Sequence, residues 1–244
     1  MSVKHGKRFT EQRAKVDRER EYEPLEAITL VRELASSKFD ESIEVHFRMG
    51  LNVRHADEQL RGTIALPNGL GRDVKIAVFA QGAKATEAEQ AGADVVGAED
   101  LAKKIEEGFD DFDVAIATPD LMSVVGRLGR ILGPSGKMPN PKVGTVTMDV
   151  AKAVQESKAG KVEYRTDRTA IVHLVIGKTS FAERQLLENY AAVVEELVRA
   201  KPSAAKGRYL HTITLASTMG PGVKVDPSRT RDIVEEAPAQ QAAA

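Results

Sequence analysis

The 244-residue chain has no cysteine and no tryptophan, and only 5% of it is aromatic. Without a thiol there is no disulfide scaffold, Cys-ligated zinc site, iron–sulfur cluster or cysteine nucleophile. With so few rings, a base-stacking platform dense in aromatics is not expected. No apolar run approaches the roughly 18 residues that span a bilayer. The basic N-terminus has no apolar stretch behind it, and Glu11, Asp17 and Glu19 argue against an acid-poor transit peptide. The expectation is a soluble cytoplasmic protein with no membrane segment. Chemical motifs are missing too. His5, His46, His55, His173 and His211 show neither a His-x-x-x-His pair nor an H-E-x-x-H helix, and there is no G-x-S-x-G elbow. No metal, no cofactor and no enzymatic activity are expected. His46, His173 and His211 fall on predicted strands and read as polar, outward-facing strand residues.

What is present is ordinary globular composition, 42% hydrophobic and 29% charged, with a net charge of −1. The charge is unevenly spread. Residues 82–121 carry three basic and eleven acidic side chains, whereas residues 122–148 carry Arg127, Arg130, Lys137 and Lys142 and no acid. Residues 1–20 hold seven basic and three acidic side chains, and residues 201–231 six and one. Separated basic blocks on a neutral chain are either local anion sites or solvated faces.

The hydrophobic period changes twice. Residues 10–20 read as an exposed helix or arm, and a helix follows Pro24. Ile43, Val45 and Phe47 alternate with Glu44, His46 and Arg48, a half-buried strand, and a second strand lies near 61–66. From Val74 to Ala159 short apolar strands (74–79, 94–96, 112–117) alternate with helical patterns (83–91, 100–107, 119–132, 149–159), which implies βαβ units and a parallel sheet. After Gly160, 162–165 and 169–176 read as strand–turn–strand around Thr166-Asp167-Arg168. Ser180 and Glu183 suggest a capping box for a long helix, and Tyr209–Ala216 is a last alternating strand. Each flank is too short for a good core of its own.

Two phosphate motifs fail. In Gly133-Pro-Ser-Gly-Lys-Met-Pro-Asn-Pro-Lys142, Ile131 stands five residues before Gly136 where a P-loop has Gly, and Met138 follows Lys137 where Ser or Thr should hold magnesium. After the strand at 74–79, Gln81-Gly-Ala-Lys84 has one glycine where a dinucleotide fingerprint has three. Gly126-Arg-Leu-Gly129 has the form of an RNA-clamping loop but sits in a helical pattern, so its glycines read as close-packing or helix-ending positions.

Five segments in order carry a resemblance. Gly133-Pro-Ser-Gly-Lys-Met-Pro-Asn-Pro-Lys-Val-Gly-Thr-Val-Thr147 resembles the signature loop of the large-subunit ribosomal protein L-one family, the side-stalk proteins of bacterial type. Ser37-Lys-Phe-Asp-Glu-Ser-Ile-Glu-Val-His46, Gly160-Lys-Val-Glu-Tyr-Arg-Thr-Asp-Arg168, Gly177-Lys-Thr-Ser-Phe181 and Ser217-Thr-Met-Gly-Pro221 are similar to it as well. The resemblance covers about residues 5–229. It implies an α/β protein of two domains. Domain I is a discontinuous α/β sandwich built from 1–67 and 160–231. Domain II, 68–159, is an inserted doubly wound, Rossmann-like domain. The tail, 232–244, lies outside the resemblance, and its Pro/Gln/Ala composition predicts disorder. So divided, domain II has 11 basic and 14 acidic residues and domain I has 24 and 22, which leaves domain I the more basic.

The resemblance further implies a monomer when free that joins the large ribosomal subunit. It would bind the side-stalk junction of 23S rRNA, assist release of exit-site tRNA and repress its own operon mRNA. The implied RNA surface lies on domain I: Lys38, Phe39, Ser42 and Glu44, then Arg165, Asp167, Arg168 and His173, then Ser217, Thr218, Met219 and Gly220. Lys38, Arg165 and Arg168 suit phosphates. Phe39 offers an apolar face to ribose or base. Glu44, Asp167 and the Thr218 hydroxyl suit 2′-hydroxyls, and Gly220 suits close backbone approach. Arg127, Arg130, Lys137 and Lys142 in domain II form an expected secondary contact with rRNA or tRNA.

Overall fold

A computed structural model describes residues 6–230 and 233. The expected disorder of 232–244 therefore lies outside the described residues, Ile233 apart. The elements in chain order are α1 (Lys7–Ala14), α2 (Pro24–Leu34), β1 (Ser42–Met49), β2 (Arg61–Ala65), β3 (Ile76–Phe79), α3 (Ala83–Gln90), β4 (Val95–Gly97), α4 (Glu99–Glu106), β5 (Val114–Ala117), α5 (Met122–Val125), α6 (Gly129–Leu132), α7 (Val150–Lys158), β6 (Lys161–Arg165), β7 (Ile171–Lys178), α8 (Glu183–Arg199), β8 (Leu210–Ser217) and β9 (Val223–Val225). The chain is mixed α/β and divides into two compact units, 1–71 with 164–244, and 72–163. That division falls four residues beyond each boundary expected from the change of period.

The first unit is built on an antiparallel sheet of order β7-β1-β8-β9. On β1 the alternation sets its two faces. Ile43, Val45 and Phe47 are fully buried, while Ser42, Glu44, His46 and Arg48 point the other way. The buried face meets α2 and α8, and Phe47 stacks on Tyr190 of α8 with ring centroids 6.3 Å apart. The helices thus leave the Ser42–Arg48 row open, between His173 of β7 and Thr214 of β8.

The second unit has a parallel sheet of order β4-β3-β5 with helices on both faces. Strand β3 shows why. Ile76 and Val78 pack with Val150 and Val154 of α7, and Ala77 and Phe79 pack with Leu101, Ile105, Leu128 and Leu132 on the opposite side. A short strand buried on both faces reads as a continuous apolar run.

Several local expectations are corrected. The predicted helix over 119–132 is broken into 3₁₀ turns at Pro119–Leu121 and Gly126–Leu128 with α5 and α6 between and after them. Gly126 and Gly129 face open space, so close packing is not their role; two glycines instead weaken the helix where it breaks. Strands β6 and β7 do not form a hairpin: β6 pairs with β2 and β7 with β1. Helix α8 begins at Glu183, and its first turn is closed by Gln185 Oε1, which accepts from Ala182 N–H at 3.0 Å. Ser180 bonds Asp40 instead of capping the helix. Residues 10–20 are only in part helical, since α1 ends at Ala14, and β9 is a strand that the sequence pattern does not reveal.

Candidate nucleic-acid interface

At one end of β1 three chain segments are tied together by two carboxylates. Asp40 accepts from Thr179 Oγ1 at 2.7 Å, Ser180 Oγ at 2.8 Å and Ser180 N–H at 3.1 Å. Glu41, only 1% exposed, accepts from Ser37 N–H and Met219 N–H, each at 2.9 Å. Burial alone would raise the Glu41 carboxyl, but these N–H donors hold it below its ordinary range. Sequence reading did not select Glu41, although the residue lies inside one of the matching segments. Its signal would have been an acid in a strand-leading loop with no exposed face of its own.

This frame presents the expected residues of the first and last groups together. Lys38 and Phe39 are exposed on the 37–41 loop, and Met219 is exposed on the facing one. Phe39 is not core: 56% of it is accessible. Lys178 Nζ donates to Ser42 Oγ at 2.8 Å, which occupies that hydroxyl. The Thr218 hydroxyl is likewise engaged. It accepts from Ser42 N–H at 3.0 Å and donates to Ser42 C=O at 3.3 Å, so its first task is to continue the β1–β8 ladder. Ser217 is buried beneath this turn, and at Gly220 a Cβ would lie 2.5 Å from Ser217 Oγ. Close approach at Gly220 is thus already demanded by the protein's own turn.

Six residues along β1, about 20 Å away, the Arg165–Arg168 group leads from the end of β6 toward β7, beside the other end of the sheet. Asp167 closes the turn before β7. Its Oδ1 accepts from Ile171 N–H at 2.7 Å and from Thr169 N–H and Oγ1 at 2.8 Å. Burial pushes this carboxyl up, but the donors outweigh it and bring it down to about 2. Asp167 is a turn-closing anion first. Ala170 completes the turn at a φ of 60°, the left-handed region that a β-carbon disfavours.

Around this turn lies a cavity of about 530 Å³ lined by Arg54, Arg165, Asp167 and Arg168 with Val53, Gln59 and Thr166. Among the described residues none of these three arginines is ion-paired, whereas Arg20, Arg32, Lys75, Lys84 and Lys161 all are. Arg54 is a further cation that sequence reading missed, because the loop carrying it shows no motif. Between the two ends, Glu44 and His173 stand on the open face. His173 Nδ1 lies 2.9 Å from His46 Nδ1, with Glu44 3.9 Å from His46 and Asp167 3.6 Å from His173. One proton at most fits between the two facing nitrogens. Burial and the His173 ring hold His46 below the ordinary imidazole range, against the pull of Glu44.

The second unit carries the other expected cations. Arg127, Arg130 and Lys142 are exposed. Lys137 is not a free cation: its ammonium donates to Asp110 Oδ1 at 2.6 Å and lies 5.0 Å over the Phe112 ring. The loop holding it is self-supporting. Asn140 Oδ1 accepts from Lys142 N–H and Asn140 N–H donates to Thr145 Oγ1, both at 2.8 Å, and Gly144 turns the chain at a φ of 77°. Among the described residues no group of three or more His, Cys, Asp or Glu could hold a metal ion, and no helix is long and apolar enough to cross a membrane.

The profile of the Ribosomal protein L1p/L10e family matches residues 31–221. The chain is 60% identical over 228 residues to the large ribosomal subunit protein uL1 of Rubrobacter xylanophilus, an alignment spanning 93% of this chain and 99% of that protein.

Proposed function

The chain belongs to the Ribosomal protein L1p/L10e family and is a structural, non-enzymatic protein of the large ribosomal subunit, and from that premise we propose that it binds 23S rRNA directly at the side-stalk junction. The observation that carries this reading is the cavity lined by Arg54, Arg165 and Arg168, three guanidiniums with no ion-pair partner among the described residues. Unneutralised guanidiniums around one concavity suit phosphates held close together by a folded RNA. The open sheet face then runs from that cavity past His173 and Glu44 to the Phe39 and Met219 loops. There an exposed ring and thioether offer apolar contact to a ribose or an unstacked base, beside Lys38 for a further phosphate.

In the same reading the surface takes the protein's own operon mRNA when that RNA presents the same junction, so that surplus protein represses its translation. On the ribosome, in the cytoplasm, the bound protein moves with the stalk and assists exit-site tRNA release. Arg127, Arg130 and Lys142 are the second unit's cations for such a contact, while Lys137 holds its loop against Asp110. Free of RNA, the protein is a monomer. The test is filter binding of the full chain to the stalk junction of 23S rRNA, with scrambled RNA of equal length as competitor, at two salt concentrations. Strong preference for the junction, weakening steeply with salt, is expected. Equal binding to both RNAs would overturn the reading.

A further inference from the structure

A second cavity of about 460 Å³ lies at the far end of β1, on the other side of the Asp167–Ala170 turn from the first. Thr169 and Ala170 line it, while Thr166 to Arg168 line its neighbour. Its polar wall is Arg48 from the open row of β1, Lys206 and Arg208 from the segment before β8, and His211 from β8 itself. No carboxylate lines it. Among the described residues Arg48, Lys206 and Arg208 have no ion pair; Asp226 senses the charge of Arg208 only from beyond that distance.

The cavity is built rather than incidental. Arg208 Nε donates to Leu210 C=O at 3.0 Å, which fixes one edge of the guanidinium and leaves the other free. Gly50 N–H donates to Tyr209 C=O at 2.7 Å. A Cβ at Gly50 would fall 2.9 Å from His211 Nε2 and against the Arg208 carbonyl, so the glycine lets the two strand ends meet with these side chains around them. Holding three like charges on one wall costs free energy unless an anion is bound there.

We propose that Arg48, Lys206 and Arg208 form a second phosphate-binding site for RNA, through which the phosphodiester backbone continues past the Asp167–Ala170 turn from the first cavity. The site reads backbone charge and not base sequence, because the charged groups around its open hollow are all cations, which suit phosphate oxygens. This inference rests on the rRNA-binding reading above and extends it to residues outside the five matching segments.

The experiment is a salt titration of junction-RNA affinity with the full chain and the variants Arg48→Gln, Lys206→Gln and Arg208→Gln, singly and combined. Lys103→Gln, an exposed change on α4 of the second unit, is the control for loss of a positive charge. Each single site variant should lower the slope of log K against log salt by about one unit, and the triple variant by two to three. Lys103→Gln should leave it unchanged. Unchanged slopes in the site variants, while wild type prefers the junction, would overturn the second site and leave the first reading intact. An equal fall in Lys103→Gln would overturn it as well, by showing a general charge effect. A wild type without junction preference would overturn the first reading instead. Lys206 is exposed in the segment before β8 and has no hydrogen bond among the described residues, so Lys206→Gln carries the test if Arg208→Gln lowers the melting temperature.

Discussion

Asp167 shows how one side chain can serve fold and site together. Its carboxylate gathers three donors from Thr169 and Ile171, and the turn so closed holds Arg168 at the mouth of the first cavity. Its folded-state value of about 2 lies below the ordinary 3.8, so it contributes stability in full above 3.8 and loses it as pH falls through 3.8 toward 2. Asp167→Asn should therefore melt below wild type at pH 7, and the gap should close at the lowest pH at which both still fold. Thermal melts across that range check this, and a gap independent of pH would rule out the charge as its source. The variant should also bind RNA less tightly, since the turn positions an arginine. Polar motif residues such as Asp167 and Thr218 are legible in the sequence, but their partners are not. The Thr218 hydroxyl serves Ser42, 176 residues away, and the Glu41 carboxylate accepts from Met219 N–H, 178 residues away. No local pattern reports a pairing at that range.

Among the elements, α8 carries a fully satisfied buried polar contact. Asn189 is fully buried in the helix. Its Oδ1 accepts from Asn68 N–H at 3.0 Å, and its Nδ2 donates to Gly69 C=O at 3.0 Å and Ile176 C=O at 2.7 Å. The side chain thus stitches α8 to β7 and to the strand exit at 68–69. Asn189→Leu keeps the branching and the number of heavy atoms but orphans three backbone groups, and should cost about 3 kcal/mol. Urea denaturation measures it, and a loss below about 1 kcal/mol would mean that the backbone groups find other partners. Strands that alternate over most of their length, such as β1 and β8, are legible to within about a residue because one face is buried. Others escape for stated reasons. Three residues of β9 are too few to show a period. The helix over 119–132 keeps its apolar spacing at Leu121, Val125, Leu128 and Leu132, and only the backbone preference of Gly126 and Gly129 marks the break.

On the scale of the whole molecule, charge and core separate along the same division. Residues 72–163 hold 12 basic and 15 acidic side chains, and the remainder of the chain 23 and 21. The overall net charge of −1 hides this, which is why composition alone argues weakly against an RNA partner. The basic block at 122–148 is partly offset inside its own unit, as Lys137 is by Asp110. The second unit also has all it needs to fold: a parallel sheet whose two faces are each covered by its own helices. A fragment of residues 72–163 should therefore unfold cooperatively on its own, yet bind the stalk junction at least about a hundredfold more weakly than the full chain at physiological salt, as binding without the specific surface does. Calorimetric melting tests the first expectation and filter binding the second. A folded fragment that binds as tightly as the whole chain would move the interface to the basic loop of Arg127, Arg130 and Lys142, and the unpaired arginines of the first unit would then need another anion to explain them.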